Sequence, residues 1–287
     1  MSGTLAIPLV RHWLVAAAKR IDATLGPARI ESVVLPPLLV DPGQMGEFCA
    51  VQLDDGSIGV AFALFDDTLD ALYRRDPAVT FRGRAAVDVA AGYGGDDGAL
   101  RTLGLATINA LTQRLFARAG FVPDAAVDSF GTLALTAGDR LGMVGFFPPL
   151  VAKARALDVP VTVLELKPEL VREEPGLTVT LDAARLAGCN KIVSTSTLLL
   201  NDTFELLAPR FRAAQAVALV GPTAGCLPDP LFAAGVTAVG GSRVVAADAF
   251  LARCAAGERW GETTRKFTLT AAHYPGFENL LARARGA

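Results

Sequence analysis

The sequence has few of the residues that hold soft metals or that cross-link small secreted folds. Its 287 residues include four cysteines and two histidines. No two cysteines form a Cys-x-x-Cys pair, which argues against a disulfide scaffold. Free cysteines usually act as small buried hydrophobic residues, and we interpret three of the four in this way. The exception is Cys226, which follows the Gly-Pro-Thr loop. The four are Cys49, Cys189, Cys226 and Cys254.

The sequence also lacks a basic block and a long apolar run. Its 27 Lys and Arg nearly balance its 29 Asp and Glu, so the clustered positive charge that nucleic acid requires is missing. The apolar stretch Trp13–Ala18 is far shorter than the ~20 residues that cross a bilayer, and no basic region precedes it. We therefore expect a soluble cytoplasmic protein with no nucleic-acid or membrane partner. Hydrophobic residues make up 52%, enough for a large core and a homo-oligomer interface.

The first half has the pattern of an α+β unit. Apolar residues recur at a helical period through Leu5–Leu25, and Gly26-Pro27 ends that helix. Three strand-like runs follow, with Asp54-Asp55-Gly56 as a hairpin turn between the last two. A meander packed on helices is the natural interpretation. The runs are Ile30–Val40, Glu47–Leu53 and Ser57–Leu64.

A glycine-rich stretch, 91–98, precedes a long amphipathic helix at Ala99–Ala119. This stretch, which contains Gly94 and Asp96, either cradles an anion at the helix N-terminus or is a flexible connector whose Asp96 or Asp97 caps the helix. Asn109 lies inside the helix, where Asn is a poor helix former. It either lines a cleft or is exposed and without a role.

The second half alternates short apolar runs with helical stretches, which is typical of a parallel sheet covered on both faces. Residues 121–130 lack periodicity, so we place the boundary there, with units at 1–125 and 126–287. The predicted strands are Leu141–Val144, Val161–Leu164, Lys191–Ser194, Ala216–Val220 and Thr237–Val239, with an edge strand at Phe267–Ala271. The predicted helices are Pro149–Leu157, a helix from Asn201 to Leu207 or beyond, Asp229–Ala234, Ala246–Ala256 and a C-terminal helix at Gly276–Ala287.

Glycine, hydroxyl or carboxylate residues follow successive strands of this second half. Because parallel strands end at one edge of a sheet, where ligands of open α/β sheets bind, we expect these residues to converge. The spacing from Gly145 to Glu165 matches that of a dinucleotide site, but the Phe-Phe-Pro-Pro run argues against a pyrophosphate. The strand ends carry Gly145 with Phe146, Glu165, the Ser194–Thr197 run with Asn201 and Thr203, Gly221 with Thr223, and Gly240-Gly241.

These stretches resemble the DUF364 family, which carries a heavy-metal chelation label, preceded by a DUF4213 domain. The first resemblance rests on residues 144–149, Glu165, 194–203, 221–223 and 240–241, and the second on 92–96 and 104–110. The resemblance implies an α/β protein. In it, a Rossmann-like parallel-sheet C-terminal domain follows an α+β meander-plus-helices domain of the enolase N-terminal type, with a cleft between the two.

The resemblance favours binding or handling of a metal ion or metal-bound small molecule in that cleft, with a metal ion as the candidate cofactor. One alternative is an enzyme acting on a nucleotide-like or anionic metabolite, although the sequence shows no motif-level nucleophile or general base. A second alternative is a self-assembling scaffold. The candidate ligand-binding residues are Gly94, Asp96, Asn109, Gly145, Phe146, Glu165, Thr195, Asn201, Thr203, Gly221 and Thr223.

Overall fold

The N-terminal unit is a three-stranded antiparallel meander surrounded by helices. A computed structural model describes residues 10–38, 47–123 and 130–286. The strands pair in the order β1-β2-β3, and the hairpin turn lies at Asp54–Gly56 as predicted. The elements are α1 (Val10–Leu25), β1 (Ile30–Val34), β2 (Phe48–Leu53), β3 (Ile58–Phe62), α2 (Thr68–Arg74), α3 (Pro77–Thr80), α4 (Ala86–Ala90) and α5 (Gly98–Arg118).

Two local predictions for this unit needed correction, and a third is not tested. Strand β1 ends at Val34 rather than at Val40, because Pro36 and Pro37 cannot donate hydrogen bonds to a neighbouring strand. Part of the glycine-rich stretch, Ala91–Gly94, is a 3-10 helix continuous with α4. The predicted start of the first helix, before residue 10, lies outside the described residues.

The C-terminal unit is built on an eight-stranded sheet. Its elements are β4 (Leu141–Val144), α6 (Pro148–Arg155), β5 (Val161–Leu164), β6 (Arg172–Glu174), β7 (Leu177–Thr180), β8 (Lys191–Thr195), α7 (Thr203–Ala213), β9 (Ala216–Val220), α8 (Asp229–Ala233), β10 (Ala238–Val244), α9 (Ala247–Ala256), β11 (Thr264–Thr270) and α10 (Phe277–Arg285). Short 3-10 helices lie at Gly131–Leu133, Pro168–Leu170, Ala183–Gly188, Ser196–Leu199 and Gly261–Thr263.

The strand order is β11-β10-β9-β8-β4-β5-β7-β6. The six central strands are parallel, while β6 and β11 run antiparallel at the two edges. Read in chain order, the six parallel strands have the 3-2-1-4-5-6 arrangement of Rossmann folds. Successive strands are therefore added on one side of β4 as far as β7 and on its other side from β8 onward, so the strand order reverses between β4 and β8.

Two sequence predictions for this sheet were wrong. The β6–β7 hairpin was missed, because its solvent-facing residues break the apolar runs that signal buried strands. Gly240-Gly241 was predicted to follow a strand, but both residues lie inside β10, which continues to Val244. There β10 pairs with β11 along its whole length, so tertiary pairing overrides the weak strand propensity of glycine.

The two units share a hydrophobic core. One cluster of buried side chains includes Leu14 of α1 and Leu103 of α5 together with Phe211 of α7 and Leu219 of β9. A second cluster, with Val151 of α6, covers the opposite sheet face. In a third, Phe250 and Cys254 of α9 pack against the meander. The meander is thus held between α5 on one side and a helix of the C-terminal unit on the other.

The predicted boundary between residues 125 and 126 lies outside the described residues. Within the described ranges, no helix combines the length and the apolar character needed to cross a bilayer.

Candidate functional site

A cleft of about 460 Å³ lies between the two units. The C-terminal sheet contributes the residues that follow β4, β5, β8 and β9, at the point where the strand order reverses. The N-terminal unit contributes residues around β2 and β3. The lining residues are Glu47, Phe48, Phe62, Phe65, Val144, Gly145, Phe146, Phe147, Leu164, Glu165, Leu166, Lys167, Thr195, Ser196, Thr197, Leu198, Asn201, Thr203, Leu207, Val220, Gly221 and Pro222.

Glu165 holds together the two loops that follow β4 and β5. Its Oε1 accepts a hydrogen bond from the backbone N–H of Phe146 at 2.6 Å, and its Oε2 accepts one from Leu166 at 3.1 Å. Gly145 permits this arrangement because its φ is +82°, a conformation in which side chains with a Cβ are strained. Both Glu165 oxygens therefore accept backbone hydrogen bonds.

Hydroxyl groups and an amide form the polar part of the cleft. The Oγ1 atoms of Thr195 and Thr197 form a hydrogen bond at 3.0 Å. The Oγ of Ser196 is buried and has no hydrogen-bond partner among the described residues. A Cβ on Gly221 would clash with that oxygen, and the φ of +139° at Gly221 strains any residue with a Cβ, so glycine suits the close approach of these two loops. Asn201 Oδ1 accepts a hydrogen bond from Thr203 Oγ1 at 2.6 Å.

Phenylalanine side chains form two walls of the cleft. Phe62 makes edge contacts with Phe48 and Phe65, with ring centroids 5.8 and 5.1 Å apart. Phe146 and Phe147 follow β4 on the C-terminal side. Such rings give a ligand apolar contact area and favour planar groups.

Seven of the eleven predicted site residues line this cleft, and they are Gly145, Phe146, Glu165, Thr195, Asn201, Thr203 and Gly221. Gly94 packs beside α1, where its nearest side chains are Val15 and His12. Asp96 has a fully exposed side chain. Neither residue is part of the cleft lining.

Asn109 and Thr223 are buried behind the cleft instead of lining it. Asn109 Nδ2 donates hydrogen bonds to the carbonyl oxygens of Val60 at 2.8 Å and Thr223 at 2.9 Å. Thr223 Oγ1 accepts the backbone N–H of Phe62 at 3.1 Å. Asn109 therefore neither lines the cleft nor is exposed, because this amide joins α5, the meander and the loop after β9.

The cleft residues missed from the sequence include four of the N-terminal unit and Lys167 in the loop after β5. Glu47, Phe48, Phe62 and Phe65 belong to runs that read as ordinary meander strands and their ends, so no pattern marks them as site residues. Lys167, two positions beyond Glu165, is the exception, since the strand-end argument extends naturally to it.

The side chains present do not fit a soft heavy-metal ion. Within residues 10–38, 47–123 and 130–286, no three His, Cys, Asp or Glu side chains are grouped closely enough to hold a metal. Burial raises the pKa of the Cys49, Cys226 and Cys254 thiols to about 12, whereas metals bind the thiolate. The donors in the cleft are hydroxyls, an amide and carboxylates, which soft metals do not prefer.

The fold defines a two-unit protein with a Rossmann-like sheet and a cleft between the units. The chain belongs to the DUF364 family, whose description, "Putative heavy-metal chelation", matches residues 128–272. DUF4213, with the same description, matches residues 44–112. The predicted family and domain order are confirmed.

One known protein resembles this chain in sequence and two solved structures resemble it in fold. An uncharacterised protein of Methanocaldococcus jannaschii is 28% identical over 197 residues, which cover 67% of this chain and 72% of that protein. A DUF364 crystal structure from Pyrococcus horikoshii matches with a TM-score of 0.67 and 18% identity, covering 90% of this chain and 99% of that one. Another from Desulfitobacterium hafniense gives 0.61 and 19%, covering 89% and 98%. Both are described as proteins of unknown function.

Proposed function

We propose that this protein binds a small organic molecule in the interdomain cleft, and that a metal ion, where one takes part, enters as part of that molecule. The supporting observation is the cleft of about 460 Å³ with phenylalanine walls and polar groups at the strand ends. Ligand pockets of proteins fall in this size range and combine apolar walls with a few polar groups. The cleft also lies where Rossmann-type sheets bind ligands.

The family description supports a role for a metal ion. The donor groups of the cleft favour a metal that is carried by the organic molecule over one bound directly by the protein. A bare soft ion would need thiolate or imidazole ligands, whereas the lining contains hydroxyls, one amide, Glu47, Glu165 and Lys167. An organic chelator would present its apolar body to the phenylalanine walls and supply the metal ligands itself.

Native mass spectrometry of gently purified protein, with elemental analysis of the same sample, tests this function. We expect an organic mass at one per chain, with any metal present only together with that mass. A stoichiometric metal without an organic mass would refute the proposal in favour of direct chelation. The same spectra test the homo-oligomer, which stays a prediction.

Removal of one aromatic wall should weaken binding. Phe65 lines the cleft, is partly exposed and contacts Phe62. Phe65→Ala therefore removes ligand contact area together with the partial packing of this ring against the core. Loss of about 1.4 kcal/mol of aromatic contact corresponds to about tenfold weaker binding of a planar neutral probe, 2-naphthylmethanol, by calorimetry.

Leu64→Ala is the matched control. Leu64 adjoins Phe65 in the chain, is 38% exposed and is not part of the cleft lining, so this variant should bind the probe as the unchanged protein does. Equal affinities in the Phe65→Ala and Leu64→Ala variants would show that the probe binds elsewhere.

A further inference from the structure

Some polar groups of the cleft already form hydrogen bonds within the protein, and others do not. Both oxygens of the Glu165 carboxylate accept backbone N–H groups, from Phe146 and Leu166. These bonds direct the acceptor atoms toward the protein's own loops. Glu165 therefore offers a ligand cation less than a free carboxylate would.

Apart from the buried Oγ of Ser196, two side-chain donors in the lining have no partner in the described part of the chain. Lys167 is exposed at the edge of the cleft, and its Nζ makes neither an ion pair nor a hydrogen bond there. Asn201 uses its Oδ1 to accept from Thr203, and the backbone N–H of Thr203 fixes which side-chain atom is the oxygen. Asn201 Nδ2 is then left as a free donor.

One aromatic ring of the lining, that of Phe146, is already covered by a cation of the protein. The guanidinium of Arg172 lies 4.8 Å from the centroid of the Phe146 ring, which occupies the position a ligand cation would seek on that ring. Arg172 also pairs with Glu174 at 2.9 Å. The remaining carboxylate of the lining, Glu47, comes from the other unit, and burial raises its pKa, which disfavours its charged form.

We propose that the ligand is an organic anion with a planar apolar body, and that Lys167 pairs with its acidic group while Asn201 donates to a second acceptor. This inference rests on the proposed small-molecule function and names its ligand class. The ring faces of Phe62, Phe65 and Phe147 hold the planar body.

Three probes of one shape and different charge test the inference on the full chain by calorimetry: 2-naphthoate, neutral 2-naphthylmethanol and cationic 2-naphthylmethylamine. We expect 2-naphthoate to bind most tightly and the amine most weakly. A partly exposed ion pair is worth up to about 1 kcal/mol, so Lys167→Met should weaken 2-naphthoate about threefold to fivefold and leave the alcohol within about twofold. Lys266→Met, which removes an exposed lysine of β11 outside the cleft lining, should change neither.

The outcomes distinguish failure of this inference from failure of the proposed function. If none of the three probes binds the unchanged protein, the proposed cleft function fails and the inference fails with it. Equal binding of the acid and the alcohol, or tighter binding of the amine, would refute the anionic ligand class. The proposed binding of a small molecule in the cleft would not be refuted by that result. If the Lys167→Met variant still prefers the acid, Lys167 does not pair with the acidic group.

Discussion

Asn109 and Thr223 illustrate how one buried amide and one hydroxyl join parts of the chain that are distant in sequence. The amide donates to two carbonyls from different units, and the hydroxyl accepts the N–H of Phe62 beside the cleft. Both side chains are almost fully buried, at 1% and 0% exposure. Water cannot replace these bonds, so the residues position the aromatic wall without contacting a ligand.

Thr223→Val should destabilise the protein and leave its shape nearly unchanged. Valine fills the same volume but leaves the Phe62 N–H without an acceptor, and a buried unsatisfied donor costs about 1–3 kcal/mol. Urea unfolding measures the change in the free energy of unfolding. Thr223→Ser keeps the acceptor and should recover most of the loss, so equal losses in the two variants would show that the methyl group matters and the hydrogen bond does not.

At the scale of single elements, the junction between the glycine-rich stretch and α5 is held by side chains. Asp97 caps the helix by accepting the N–H of Leu100 at 3.0 Å, and Arg75 forms two bonds to the same carboxylate. Tyr93 donates to the carbonyl of Leu199, while Arg101 donates to the carbonyls of Gly95 and Leu200. The stretch therefore connects α4 to α5 and contacts the segment that carries Asn201.

The Asp97 cap should give the protein an acid-dependent part of its stability. The Arg75 hydrogen bonds are the main cause that lowers the pKa of Asp97 from 3.8 to about 2. A lowered pKa contributes stability that is present above pH 4 and is lost as pH falls toward 2. Because the carboxylate is 38% exposed, solvent screening limits the contribution to about 1 kcal/mol.

Asp97→Asn keeps a capping oxygen and removes the charge. Denaturant unfolding between pH 3 and pH 7 should show the variant less stable at pH 7 and the difference shrinking below pH 4. Asp96→Asn, at the neighbouring and fully exposed position, should match the unchanged protein throughout. A difference for Asp97→Asn that does not depend on pH would contradict the role of the ion pair.

At the scale of the whole molecule, the two units are interlocked. One hydrophobic cluster contains residues of α1, α5, α7 and β9, and α9 packs on the far side of the meander. Asp202 adds an ionic link, because its carboxylate pairs with Arg11 at 3.0 Å and Arg101 at 2.8 Å. Neither unit keeps its buried surface without the other.

The two units should therefore unfold together. Scanning calorimetry should give one transition whose calorimetric and van't Hoff enthalpies agree, as expected for a single cooperative unit. Two resolved transitions, or a calorimetric enthalpy well above the van't Hoff value, would mean that the shared core contributes less than its burial indicates.

The sequence by itself determined most of the longer elements and the sheet edge at which the cleft lies. Apolar residues at a helical period located α1 and α5. Short apolar runs located β4, β5, β8 and β9, because central strands of a parallel sheet are buried on both faces. Residues that end parallel strands meet at one sheet edge, so Gly145, Glu165, Thr195 and Gly221 were found without a structure.

Only the tertiary structure decided which of the predicted residues face the cleft. Asn109 and Thr223 turned inward to join the units, while Phe62 and Phe65, ordinary strand residues in the sequence, became the opposite wall. The β10–β11 pairing placed Gly240-Gly241 inside a strand. These outcomes depend on how α9 and α5 enclose the meander, and contacts between residues far apart in the chain leave no local pattern to read.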